Sequence, residues 1–122
     1  MIKDIVIVGI GSGMGGIFRY LISLFMTQTR NGFPWGTFAV NVAGCLLIGI
    51  LWGMTNRFQN VSPCFSLFLM TGFCGGFTTF STFSKEGLIM LQANNYILFS
   101  LYAIGSVVIG IMAVASGYYI TK

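Results

Sequence analysis

Long uncharged, mostly apolar runs dominate the chain. Residues 31–56, 58–84 and 87–121 contain no Asp, Glu, Lys or Arg, and a shorter run, 5–18, resumes after Arg19 as far as Phe25-Met26. A helix needs about 20 apolar residues to cross the roughly 30 Å hydrocarbon core of a bilayer. The pattern therefore predicts four transmembrane helices, at about 4–26, 34–56, 63–92 and 96–120. Turn-forming residues separate them: Gln28-Thr29-Arg30-Asn31-Gly32 before Pro34, Asn56-Arg57 through Pro63, and Asn94-Asn95. No soluble domain fits between the spans, so residues 1–122 read as a single transmembrane domain of an all-α membrane protein.

Composition strengthens this reading. Only 7% of the 122 residues are charged and 56% are hydrophobic, with a mean hydropathy of +0.89. A soluble domain carries about a quarter charged residues, so lipid must cover much of this surface. The apolar N-terminal run lacks an A-x-A cleavage site and continues through Arg19-Tyr20. It reads as the first transmembrane helix and not as a cleaved leader. Six basic residues stand against Asp4 and Glu86, too few and too scattered for a nucleic-acid surface. Cys45, Cys64 and Cys74 show no C-x-x-C spacing and read as small buried hydrophobes.

The placement of the charges bears on assembly. With four crossings, Lys3, Arg57 and Lys122 fall on one side, while Arg30, with Arg19 and Lys85 nearer to it, falls on the other. The positive-inside rule sets orientation by an excess of Lys and Arg on one side, and here the two sides balance. A chain that inserts both ways can pair with an inverted copy of itself, so the reading is an antiparallel, dual-topology homodimer.

The third span is unusual. Thr71 to Ser84 reads Thr-Gly-Phe-Cys-Gly-Gly-Phe-Thr-Thr-Phe-Ser-Thr-Phe-Ser. Glycines and hydroxyl residues weaken helices, and the sequence places a break near Gly75-Gly76. Broken backbone is tolerated at membrane depth only where protein or a water-filled cavity surrounds it. Freed carbonyls there can hold a cation, and helix N-termini can face an anion. A glycine-rich packing face is the alternative.

Other candidates follow from residue type and spacing. Asn41 is a mid-span amide that needs partners, and Thr37 shares its helix face. It is either an interhelical hydrogen bonder or a donor in a polar track. Tyr102 and Ser106 form a matching pair in the fourth span, followed by the small residues Gly110, Ala113 and Gly117. Phe80 and Phe83 alternate with Ser81, Thr82 and Ser84, and the positive ring edges of phenylalanine can line an anion path without holding the anion tightly. Arg19 and Glu86 mark either the membrane interface or aqueous vestibules. The run from Gly11 through Gly16 imitates G-x-G-x-x-G, but no acidic residue occurs between Asp4 and Glu86 and no βαβ pattern follows. Its glycines suit close helix approach instead. There is no histidine, acidic pair or metal-ligand cluster, so an enzyme is not indicated.

Three segments together resemble the CrcB/Fluc family of small bacterial fluoride channels: Gly13-Met14-Gly15-Gly16-Ile17-Phe18-Arg19-Tyr20, Gly36 through Gly44, and Gly72 through Glu86. The resemblance covers nearly the whole chain. It implies an antiparallel dimer with two fluoride pores in the bacterial inner membrane. It implies that Phe80 and Phe83 line the pore, with Asn41 as the pore asparagine. Ser81, Thr82, Thr37, Tyr102 and Ser106 would belong to a polar track. It also implies a structural sodium ion held by the backbone carbonyls of Gly75 and Thr78 from both subunits. At Gly110, where the resemblance suggests serine, no side chain contributes, so the track ends at Ser106 or uses water. The function implied is passive fluoride export that lowers fluoride toxicity. The rivals are a dual-topology proton-coupled multidrug exporter, which needs a membrane-embedded carboxylate, and a structural subunit of a larger membrane complex.

Overall fold

The computed structural model describes residues 1–26, 33–58 and 60–122. The turn expected at Gln28–Gly32, with Arg30, lies outside the described residues. Those described are all-helical, with no strand among them. Helix α1 spans Ile2–Phe25 and α2 spans Trp35–Arg57. Helix α3 runs through Pro63–Ser66, the wide π-helical Leu67–Cys74 and Gly75–Phe77. Helix α4 spans Phe80–Gln92 and α5 spans Tyr96–Thr121. With α3 and α4 counted as one crossing, four helical segments are long and apolar enough to span a membrane.

The chain's own chemistry starts and stops these helices. The Ser62 hydroxyl accepts from the Cys64 N–H at 3.1 Å, with Pro63 as the first helical residue. At the other end of the crossing Asn94 takes a positive φ of 60°. The Asn95 N–H then reaches the Met90 carbonyl and the Asn94 N–H reaches that of Leu91, both at 3.0 Å, closing α4 in a Schellman turn. The Asn95 side chain accepts from the Leu98 N–H at 3.3 Å and opens α5.

Glycines decide how the helices pair. Lipid tails are as apolar as leucine, so close van der Waals approach must hold membrane helices together. On α1, Gly11 faces the main chain of Phe68 and Gly72, and Gly15 faces that of Phe73 and Phe77. A Cβ on Gly76 would strike the Ser12 carbonyl. Between α2 and α5, Gly49 faces the Val114 main chain, Gly53 faces Tyr118 and Thr121, and Gly117 faces Leu46 and Gly49. Residue numbers rise together in both sets, so α1 lies parallel to α3, and α2 lies parallel to α5. The Thr121 hydroxyl adds a bond to the Ile50 carbonyl at 3.0 Å.

Gly75 and Gly76 do not interrupt the helix. Gly75 is helical at φ −64°, ψ −37°, and Gly76 lies within the Gly75–Phe77 turn. The extended residues are Thr78 (φ −114°, ψ 119°) and Thr79 (φ −122°, ψ 116°). Gly76 serves close approach to α1; the Thr78 N–H still donates to the Cys74 carbonyl at 3.2 Å, whereas the Thr79 main chain is held by the Asn41 side chain.

Adding a methyl group where main chains touch should weaken the bundle. Gly49→Ala and Gly76→Ala are each expected to cost about 1–3 kcal/mol by overpacking. Thermal unfolding in detergent checks this, and unchanged midpoints would show that these contacts carry no stability.

Candidate functional site

The extended pair is the meeting point of the two helix pairs. The Asn41 Oδ1 of α2 accepts from the Thr79 N–H at 2.8 Å, and its Nδ2 donates to the Thr79 carbonyl at 3.4 Å. The side-chain amide thus pairs with Thr79 on both sides, as a neighbouring peptide would in a ladder. The Thr78 hydroxyl donates back to the Cys74 carbonyl at 2.9 Å. The Thr79 hydroxyl caps α4 by accepting from the Thr82 N–H at 3.3 Å, and it donates to the Thr82 hydroxyl at 3.1 Å.

These bonds have a consequence for two carbonyls. In a continuous helix the Gly75 carbonyl would accept from the Thr79 N–H, and that of Thr78 from the Thr82 N–H. The first donor is directed to Asn41 and the second to the Thr79 hydroxyl. Both oxygens are thereby released from their helical partners.

Two cavities flank Thr79. One, of about 300 Å³, is lined by Asn41, Thr78, Thr79, Phe80, Phe83 and Ser106, together with Cys45 and Val107. The Phe80 and Phe83 ring centroids are 5.9 Å apart. The Ser106 hydroxyl is shielded from solvent and has no hydrogen-bond partner among the described residues. The second cavity, of about 280 Å³, is lined by Arg19, Tyr20, Ser23, Gly36, Thr37, Val40, Thr79 and Thr82. There the Arg19 Nε is likewise shielded and without a hydrogen-bond partner among the described residues. Thr79 is common to both cavities, so the Asn41–Thr79 pair stands between the arginine side and the phenylalanine side.

The remaining candidates sit around this step. Tyr102, 1% exposed, donates to the Glu86 carboxylate at 3.4 Å. The Tyr102 ring lies 4.9 Å from that of Phe83 and 5.3 Å from that of Phe33, centroid to centroid. Ser81 is exposed, its hydroxyl 3.4 Å from that of Thr79. Gly110 lines a separate, largely apolar cavity of about 510 Å³ that also reaches Ser106. The candidates therefore do not form one enclosed track within a single chain. Asn41, Phe80, Phe83 and Ser106 share one cavity, Arg19, Thr37 and Thr82 share the other, and Glu86 and Tyr102 form a bonded pair beside them. Sequence reasoning missed Thr79, the residue common to both cavities. Its hydroxyl three positions before Thr82, at the head of an amphipathic stretch, was the available capping signal.

Comparison with known proteins gives a consistent result. Residues 6–118 match the family described as CrcB-like protein, Camphor Resistance (CrcB). A protein of Phocaeicola vulgatus named fluoride-specific ion channel FluC is 46% identical over 122 residues, covering 98% of this chain and 99% of its own. Proteins with the same name from Flavobacterium psychrophilum and Bacteroides fragilis are each 43% identical. The alignments cover 98% of this chain and 98% of the first relative, and 97% and 95% for the second. With its four membrane-competent helices, the chain is a multi-pass bacterial inner-membrane protein that belongs to the CrcB family.

Proposed function

We propose that the chain is a fluoride channel through which fluoride leaves the cell passively, down its electrochemical gradient. One observation carries this reading. Asn41, Phe80, Phe83 and Ser106 converge on a single cavity beside the extended Thr78–Thr79 step, in a chain whose near-full-length relatives are named fluoride-specific ion channels. Fluoride is small and strongly hydrated, so its removal from water is costly unless donors replace the water. The cavity offers the unpartnered Ser106 hydroxyl and the positive edges of the two rings. The second N–H of the Asn41 amide and the N-terminal end of α4 add to these. Such sites are individually modest, and conduction requires sites that release an ion as readily as they take it. Across the Asn41–Thr79 pair, Arg19 gives the other cavity a positive charge that concentrates anions. Thr37, Ser81, Thr82 and Tyr102 complete the polar track in this reading, and Arg19 and Glu86 sit at its vestibules.

The working unit in this reading is an antiparallel homodimer of oppositely inserted chains, and α3 and α4 act as two half-helices of one broken crossing. The balanced charges support dual topology. Phe80, 78% exposed in the single chain, leaves the phenylalanine cavity open to be closed by a second copy. A structural sodium ion at the dimer centre fits the chemistry of the step. Gly75 is exposed, and the carbonyls of Gly75 and Thr78 have lost their helical donors, so these two oxygens would hold it. Such an ion suits neutral carbonyl oxygens and would fix the charge and spacing of the step. Nothing favours the proton-coupled exporter, whose membrane carboxylate would have to be Glu86, since the relatives are named as channels.

Purified protein in liposomes is expected to release fluoride, read with a fluoride electrode, and to retain chloride. Phe80→Ile and Phe83→Ile should each slow release about tenfold or more, the effect of roughly 1.4 kcal/mol added to the barrier. Well-folded protein that passes no fluoride would refute the reading, and unchanged release in both variants would refute the pore assignment. For topology, Cys64 is useful: it is exposed, not buried as its residue type suggested, and a membrane-impermeant maleimide should reach it from both faces of sealed vesicles. Labelling from one face alone would contradict dual insertion.

A further inference from the structure

Helix α2 meets the extended pair at two points less than one turn apart, Asn41 and Gly44. Asn41 holds the Thr79 main chain. Gly44 is buried, and a Cβ added to it would overlap the Thr78 methyl group. The other nearby atoms, Phe77 Cδ2 at 3.5 Å and Thr78 Cβ at 3.6 Å, would be in ordinary contact. A single methyl group of a single residue therefore occupies the space that a side chain at position 44 would need.

That methyl group cannot simply rotate away. Threonine is stiff at χ1, and the Thr78 hydroxyl is tied to the Cys74 carbonyl at 2.9 Å. Pushing the methyl group must break this bond or move the backbone. The next peptide unit joins the Thr78 carbonyl to the Thr79 N–H, and that N–H is held by Asn41 at 2.8 Å. A displacement at Thr78 thus passes directly to the groups that border the phenylalanine cavity. Gly49 differs: it faces the Val114 main chain on α5 and lines neither cavity beside Thr79.

We propose that Gly44 is a positioning residue for conduction: by lacking a Cβ it seats the Thr78 methyl group and so sets the direction of the Thr78–Thr79 peptide. This rests on the fluoride-channel reading, and Gly44 itself touches no ion.

The test is a mutant cycle of Gly44→Ala with Thr78→Ser, which deletes the methyl group and keeps the hydroxyl. Fluoride release is measured per amount of folded, monodisperse protein. Gly44→Ala is expected to lower release about tenfold in the presence of Thr78, as overpacking against a fixed group should, and to have little effect in the Thr78→Ser background. Gly49→Ala is expected to lower thermal stability while leaving release per folded protein unchanged. A second readout, amide hydrogen exchange at the Thr79 N–H, should speed up in Gly44→Ala and not in Gly49→Ala. The proposal is overturned if Gly44→Ala releases fluoride at the wild-type rate, if its deficit is equal in both backgrounds, or if Thr79 exchange does not change. Wild-type protein that passes no fluoride would instead overturn the channel reading.

Discussion

The arrangement depends on the pairing of the Asn41 side chain with the Thr79 main chain. In the hydrocarbon region an unpaired backbone N–H or C=O costs several kcal/mol, which is why membrane crossings are almost always continuous helices. Thr78 and Thr79 depart from helical geometry; the Thr78 N–H keeps its bond to the Cys74 carbonyl, but the Thr79 main chain requires substitute partners. Asn41 supplies an acceptor and a donor to Thr79 from another helix, and the Thr79 hydroxyl supplies the cap that restarts the helix at Phe80. Without these two substitutes the third crossing would have reason to close into one helix, and the Gly75 and Thr78 carbonyls would regain their helical donors.

The glycines make that pairing geometrically possible. Parallel pairs α1–α3 and α2–α5 approach until main chain meets main chain, which brings α2 close enough for a short side chain to reach Thr79. The step then separates a cavity carrying a guanidinium from one lined by phenylalanine edges and an unpartnered hydroxyl. In the proposed channel an anion moving between them would exchange one modest set of donors for another without meeting a fixed negative charge at the step itself. Glu86 stands to one side, bonded to Tyr102.

Much of the helical frame was legible in the sequence, because apolar run length and turn residues such as Asn94-Asn95 report directly on membrane crossings. The departure from helix was harder to locate. Gly75-Gly76 is a weak helical dipeptide by propensity, as is Gly15-Gly16 in α1, yet in lipid a glycine serves close approach as readily as a break, and Gly76 serves Ser12. The extended residues are the threonines beyond it, since their partners include a side chain 38 positions away that no local pattern reveals. The π-helical turns over Leu67–Cys74 likewise leave no periodic signal in a stretch that is apolar but for Thr71. The candidate residues Asn41, Phe80, Phe83 and Ser106 were readable as polar or aromatic exceptions within apolar spans. Their division from Arg19, Thr37 and Thr82 into two cavities was not, because Thr79, the residue between them, looks like any other hydroxyl in a hydroxyl-rich run.

The central claim is that the hold of Asn41 on Thr79 makes the third crossing conduct. Asn41→Leu tests it most directly, since leucine keeps the branched four-atom side-chain skeleton of asparagine and removes both hydrogen-bonding groups. The account predicts a folded protein of native oligomeric size whose fluoride release from liposomes falls to the level of empty vesicles. Release at the wild-type rate from a well-folded Asn41→Leu protein would contradict it.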